Sequence, residues 1–102
     1  MNSFYDLETV KHLAETAAVR MGKKASEYAE NEFGYSLSQV IVTILDLETQ
    51  DFYKTYHYND VPHDAYIRRI RSNITHTHKE AYIKFFVSNS LIIVSFHTET
   101  LL

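Results

Sequence analysis

The chain contains no cysteine, which excludes disulfides and thiolate metal sites and fits a reducing cytoplasm. Only one proline and two glycines interrupt 102 residues, of which 45% are hydrophobic. That composition predicts one packed domain over 1–102 rather than a disordered chain. No apolar run approaches the ~18 residues that cross a bilayer, so no membrane partner is expected. The opening residues, Met1 to Asp6, have neither a basic n-region nor an apolar h-region, so no secretory signal is expected. P-loop, Rossmann glycine, nucleophile-elbow and HExxH patterns are all missing, and with them the chemistries those motifs mark.

A strong basic excess is also lacking. The formal charge is −3, which on its own argues against a nucleic-acid partner. The two halves differ, however. Residues 1–50 carry eight acids and four bases, and residues 51–102 carry five acids and six bases. Five of the six histidines (His57, His63, His76, His78 and His97) lie in the second half, where protonation adds further positive charge. Tyr53, Tyr56, Tyr58 and Tyr66 crowd the same region.

The first half reads as helices, over 1–48. Leu7, Val10, Leu13 and Ala14 fall at helical spacing behind a Ser3 or Asp6 cap. This helix runs either to Met21 with Gly22 as its stop, or breaks near Thr16 before a short extended piece at Ala18 to Arg20. Lys23 to Phe33 forms a second helix, ended by Gly34. Ser36 and Gln39 make a capping box for a third, which runs to about Leu47 with an apolar stripe of Leu37, Val40, Ile41, Ile44 and Leu45.

From Gln50 the pattern changes to strands, over 50–97. Asp51 to Tyr58 alternates, with Phe52, Lys54, Tyr56 and Tyr58 expected on one side. Asn59 to Pro62 is a turn signal, and His63 to Ile70 a further strand. A polar stretch through Lys79 follows. The last two runs, Ala81 to Val87 and Leu91 to His97, flank Ser88-Asn89-Ser90 as a β-hairpin. An even loop, Asn89-Ser90, sets Ser88 opposite Leu91, Phe86 opposite Ile93, Lys84 opposite Ser95 and Tyr82 opposite His97. The expected inner face is Ile83, Phe85, Val87, Ile92, Val94 and Phe96, and a one-residue slip would mix the two faces. Thr98 to Leu102 reads as a tail. Helices followed by a strand meander predict an α+β fold with three helices packed on an antiparallel sheet.

Three segments in order resemble the MqsR family of bacterial toxins. Asp51-Phe52-Tyr53-Lys54 stands as that family's D-F-Y-K, and His63-Asp64-Ala65-Tyr66 is similar to its Q-D-V-Y. Ala81-Tyr82-Ile83-Lys84 resembles V-Y-L-K, and Leu91 to Phe96 resembles V-L-I-V-S-F. A weaker likeness runs through Leu7, Val10, Lys11 and Leu13. The resemblance implies a RelE-like fold, an mRNA endoribonuclease of a toxin–antitoxin pair, a cognate antitoxin partner, and catalytic roles for Lys54 and Tyr82. Two positions depart from the family: His63 stands where it has glutamine, and His97 where it has lysine.

Cleavage of RNA by a metal-free enzyme needs a base for the 2′-hydroxyl, an acid for the departing 5′-oxygen, and a cation for the phosphorane. No cofactor is called for. His97 suits either proton role, with His63 as its partner if the fold brings them together. Lys54 supplies positive charge, and Tyr82 a hydrogen bond or a stacking surface. The catalytic candidates are thus Lys54, His63, Tyr82 and His97. The candidate RNA-binding residues are Arg68, Arg69 and Lys84, although alternation puts Arg69 on the opposite side of its strand from Arg68. Each also has a structural reading, as a solvated strand end, a cross-strand packing partner or an edge charge. His76-x-His78 lacks the third ligand a metal centre requires. A second function class remains open, an RNA- or protein-binding module on the same fold that does not cut. An exposed aromatic strand such as Phe52–Tyr58 also offers an edge for a homo-oligomer or a partner.

Overall fold

The computed structural model describes residues 2–99. Helix α1 (Leu7–Glu15) starts where the Asp6 carboxylate accepts the Thr9 N–H. It stops at Thr16, and Ala17 adopts a left-handed conformation at φ 61°. The chain then extends as strand β1 (Val19–Met21), so the shorter of the two helix readings holds. Helix α2 (Lys23–Tyr28) continues into a π-turn, Ala29–Phe33, that ends at Gly34 with φ 69°. A side chain at Gly34 would meet Asn73 and Ile74 at 3.2 Å, so glycine answers to both the φ value and the close loop. Helix α3 (Leu37–Asp46) opens with the expected Ser36–Gln39 capping box. A single 3₁₀ turn, Thr49–Asp51, leads into the strands.

Strands β2 (Phe52–Tyr58), β3 (Val61–Arg71), β4 (His78–Ser88) and β5 (Ser90–Thr98) form the expected antiparallel meander. The short β1 adds to β5 in parallel, giving a five-stranded mixed sheet of order β1-β5-β4-β3-β2. The β2–β3 turn is tighter than the sequence suggested. Asn59 and Asp60 alone make it, with φ 51° and 66°, and Val61 and Pro62 are already in β3. Two consecutive positive φ values match the I′ turn that suits strand twist.

All three helices cover one face of the sheet. Val10 and Ala14 of α1, Ala25, Ala29 and Phe33 of the second helical segment, and Val40 and Ile44 of α3 bury against Tyr66, Ile83, Phe85, Leu91, Ile93 and Phe96. The N-terminal segment is tied to the same side. The fully buried Asp64 carboxylate accepts the Phe4 and Tyr5 N–H groups at 3.1 and 2.8 Å and the Thr55 hydroxyl at 2.6 Å.

Two expectations about facing need correction. In the hairpin, the turn centres on Asn89 (φ 63°) with Ser88 opposite Ser90, Val87 opposite Leu91 and Phe86 opposite Ile92. Leu91 and Ile93 therefore point into the core, where Ile92 and Val94 were expected. A β-bulge between the Lys84 and Phe85 pairs then accommodates Val94 as an extra residue, and beyond it Lys84 faces Ser95 and Tyr82 faces His97, as anticipated. A second bulge, at Tyr53, separates Phe52 from Lys54. It turns Phe52 inward onto Tyr66 (ring centroids 5.6 Å), so Phe52 does not share a side with Lys54, Tyr56 and Tyr58. The tail expected after the hairpin begins later, since Thr98 belongs to β5, and residues 100–102 lie outside the described residues.

Candidate active site

The sheet face turned away from the helices carries most of the candidate residues, and strand register decides their neighbours. Lys54 lies opposite Ala65, Ala65 opposite Lys84, and Lys84 opposite Ser95. On one side of this row, Ile67 lies opposite Tyr82 and Tyr82 opposite His97. On the other, Tyr56 lies opposite His63, whose ring touches Phe86. Ala65 is fully buried yet stands outside the core cluster, because the longer side chains on either side roof it over.

Two ammonium groups and three phenols converge here. Lys54 Nζ sits 5.1 Å from the Tyr56 ring centre, and Lys84 Nζ sits 5.4 Å from the same ring and 4.7 Å from that of Tyr58. Lys84 also donates to the Tyr58 hydroxyl at 2.9 Å. The Tyr56 and Tyr58 rings stack at 6.1 Å. These contacts hold two like charges on one surface by giving each an aromatic face.

Tyr82 and His97 stack with centroids 5.2 Å apart and planes 18° from parallel. Burial raises the Tyr82 phenol above its ordinary range, and a hydrogen bond with Tyr56 adds to the effect. The group therefore stays protonated at neutral pH. His97 Nδ1 lies 3.1 Å from its neighbour's carbonyl oxygen, Thr98 O. A carbonyl offers only lone pairs, so Nδ1 carries the hydrogen and the neutral ring keeps a basic lone pair on Nε2. The Thr98 N–H is in turn gripped by the Glu32 carboxylate at 2.6 Å, which pins the end of β5 to the π-turn.

His63 is placed differently. It is only 8% exposed, wedged between the Tyr58 ring (4.8 Å) and the Phe86 ring (4.7 Å), and Nδ1 bonds to the Val61 carbonyl at 3.0 Å. It shares the face of His97 but stands two strands across and four residues along, roughly 15 Å away by strand geometry. The two imidazoles do not form an acid–base pair.

The arginines divide by strand alternation. Arg68 points to the helix side, where it binds the Asp51 carboxylate at 2.9 Å and lies 3.9 Å from Glu48. Arg69 is exposed, opposite Glu80, on the Tyr82 side of the sheet. His76 occupies a left-handed turn position (φ 60°) and His78 begins β4. Sequence reasoning did not assign Tyr56, Tyr58 and Tyr28 to the site. The tyrosine cluster and the alternation in β2 were the signal for the first two. Tyr28 comes from a distant helix and approaches His97 edge-on at 5.9 Å, which no local pattern announces.

Comparison with curated proteins finds no match. Comparison with family models matches residues 2–98, nearly the whole chain, to the family described as motility quorum-sensing regulator, toxin of MqsA. Among the described residues no helix is long and apolar enough to cross a membrane. On the family match, together with helices packed on one face of a mixed sheet, the chain belongs to the MqsR toxin family, the RelE-like toxin components of toxin–antitoxin systems.

Proposed function

We propose that this toxin is an mRNA endoribonuclease that cleaves by internal transesterification, needs no metal, and acts in the cytoplasm until its antitoxin sequesters it. The observation that carries the reading is the Tyr82–His97 stack beside the Lys54 and Lys84 ammonium groups on an otherwise open sheet face. His97 Nε2 takes the 2′-hydroxyl proton, and the 2′-oxygen forms a bond to phosphorus. The bond from phosphorus to the 5′-oxygen breaks, and that oxygen leaves with a proton from the Lys84 ammonium. The products are a 2′,3′-cyclic phosphate and a 5′-hydroxyl. Lys54 remains charged and offsets the negative charge that builds on the phosphorane, while the Tyr82 phenol donates to one of its oxygens. Tyr56 and Tyr58 present ring faces to bases, and Arg69 contacts a neighbouring phosphate. His63 supports Tyr58 from below and leaves proton transfer to His97.

The test is induction of the toxin followed by mapping of RNA 5′ ends, together with cleavage of RNA oligonucleotides by purified protein in EDTA. The expected result is growth arrest with new 5′-hydroxyl ends, and loss of both in the triple variant Lys54→Ala, Tyr82→Phe, His97→Ala. An absence of new ends, ends that persist in the triple variant, or activity abolished by EDTA would each sink the metal-free nuclease reading.

A further inference from the structure

Strand β1 pairs with only the first part of β5, Leu91 to Ile93. Past that point α2 and the π-turn lie along β5, with Ala25 and Ala29 turned into the core. Tyr28 sits three residues beyond Ala25, at the rim of that buried face, and the residue is 46% exposed. It lines a recess of about 500 Å³ whose walls include Lys24, Glu32, Ser95, His97 and Thr98. It also lines a smaller recess of about 250 Å³ with Lys24, Glu27 and Asn31. The larger recess falls within the size range of small-ligand sites and shares His97 with the proposed catalytic row.

We infer that Tyr28 and this recess form a subsite for one nucleobase of a single-stranded RNA, the base next to the phosphate held at His97. The inference rests on the assignment of His97 to the reaction. Three features define the chemistry. A half-exposed aromatic residue that lines two recesses offers the stacking surface that unpaired bases seek. The Lys24 side chain at the rim supplies a cation for the adjoining phosphate. The walls are also fixed before any strand arrives, since Ala25, Ala29 and Phe33 anchor the helix below, and the Glu32 carboxylate holds the Thr98 N–H. A strand crossing from Lys84 past His97 therefore runs onto Tyr28 at its next base. Stacking tolerates any base, so the subsite contributes affinity and register along the strand more than base identity.

Binding of a fluorescent, fully 2′-O-methylated RNA oligonucleotide, which cannot be cleaved, tests this by anisotropy. Tyr28→Ala is expected to weaken binding roughly 5- to 150-fold, the range for loss of one base–aromatic stack. Tyr28→Phe, which keeps the ring, is expected to bind as the parent does. The same titrations with an abasic nucleotide moved stepwise along the strand complete a thermodynamic cycle. One abasic position, and only one, should remove the effect of Tyr28→Ala, which a general disturbance of the fold would not reproduce. No binding by the parent protein, equal binding by Tyr28→Ala, or a loss spread evenly over all positions overturns the subsite. Cleavage is scored separately on unmodified RNA. Position-specific coupling in a protein that does not cut retains the subsite and removes the nuclease, whereas cutting without coupling does the reverse.

Discussion

The Tyr82 ring lies flat against the His97 imidazole, 5.2 Å away and 18° from parallel, although the two residues come from different strands. Stacking fixes the plane of the imidazole, and the Thr98 carbonyl fixes its tautomer. The proposed base is thus oriented before substrate binds, which is where positioned proton transfer gains its rate.

Separating the ring of Tyr82 from its hydroxyl separates these contributions. Tyr82→Phe keeps the stack and removes one donor, while Tyr82→Ala removes both. His97→Ala should cost roughly 10²- to 10⁴-fold in cleavage rate, as general acid–base groups do. Tyr82→Phe should cost about 10-fold and Tyr82→Ala more than that, with oligonucleotide cleavage followed under single-turnover conditions. Equal losses in the two Tyr82 variants would show that the stack has no kinetic role.

Alkaline stability should reflect the tyrosines. Burial raises the phenols of Tyr82, Tyr35 and Tyr66 above 10, their ordinary value and the value they take in the unfolded chain. Above pH 10 the unfolded chain loses these protons first, so it binds fewer protons than the folded protein and stability falls as pH rises. Below pH 10 the contribution is complete. Urea midpoints are therefore predicted to be level from pH 8 to about pH 9.5 and to fall above 10, less steeply in Tyr82→Phe.

Asp64 is the strongest single test of the fold's polar anchoring. Its buried carboxylate receives two backbone N–H groups of the N-terminal segment and one hydroxyl of β2. Asp64→Ala leaves those donors without a partner and should cost about 3 kcal/mol. Chemical denaturation measures the loss. Hydrogen exchange at Phe4 and Tyr5 should accelerate first, because their N–H groups bond to that carboxylate.

Arg68 and Arg69 should part company. Arg68 is held by Asp51 on the helix side, so Arg68→Ala is expected to lower stability by up to about 1 kcal/mol and leave RNA affinity unchanged. Arg69→Ala should leave stability unchanged, weaken RNA binding, and reduce the slope of log affinity against log salt by about 1. Affinity titrations at several salt concentrations distinguish the two. A salt slope altered by the Arg68 variant would contradict this division.

Much of this was legible in the chain. The Asp6 cap, the Ser36–Gln39 box, the Gly34 stop and the meander order all follow from local rules, and each appears as expected. Register beyond the hairpin bulge was also readable, because Tyr82, Lys84, Ser95 and His97 alternate cleanly with Ile83 and Phe96. The bulges at Tyr53 and Val94 were not readable. Each arises where a large apolar side chain gains more by entering the core than regular pairing would allow, and that choice is made by the packed neighbours. Phe52 thereby reaches Tyr66, and Leu91 and Ile93 reach the helices. The His63–His97 distance was likewise beyond sequence, since it depends on strand order. The carboxylate of Glu32 reaches β5 across 66 positions, and no local pattern encodes such a contact.

The irregularity at Val94 has a consequence for how this hairpin can vary. The turn at Asn89 and the bulge each depart from even pairing by one residue, and the two departures cancel before Ser95. The hairpin is therefore two ladders of different phase, and Tyr82 and His97 belong to the one distant from the turn. Removing Val94 would merge the phases without changing which residues point inward, since Ile93 and Ser95 already face opposite sides. A change of one residue in the turn can be absorbed in the same way. Length variation at the tip is thus insulated from the Tyr82–His97 stack, whereas an insertion between Ser95 and His97 has no second defect to cancel it and would swing the imidazole into the core.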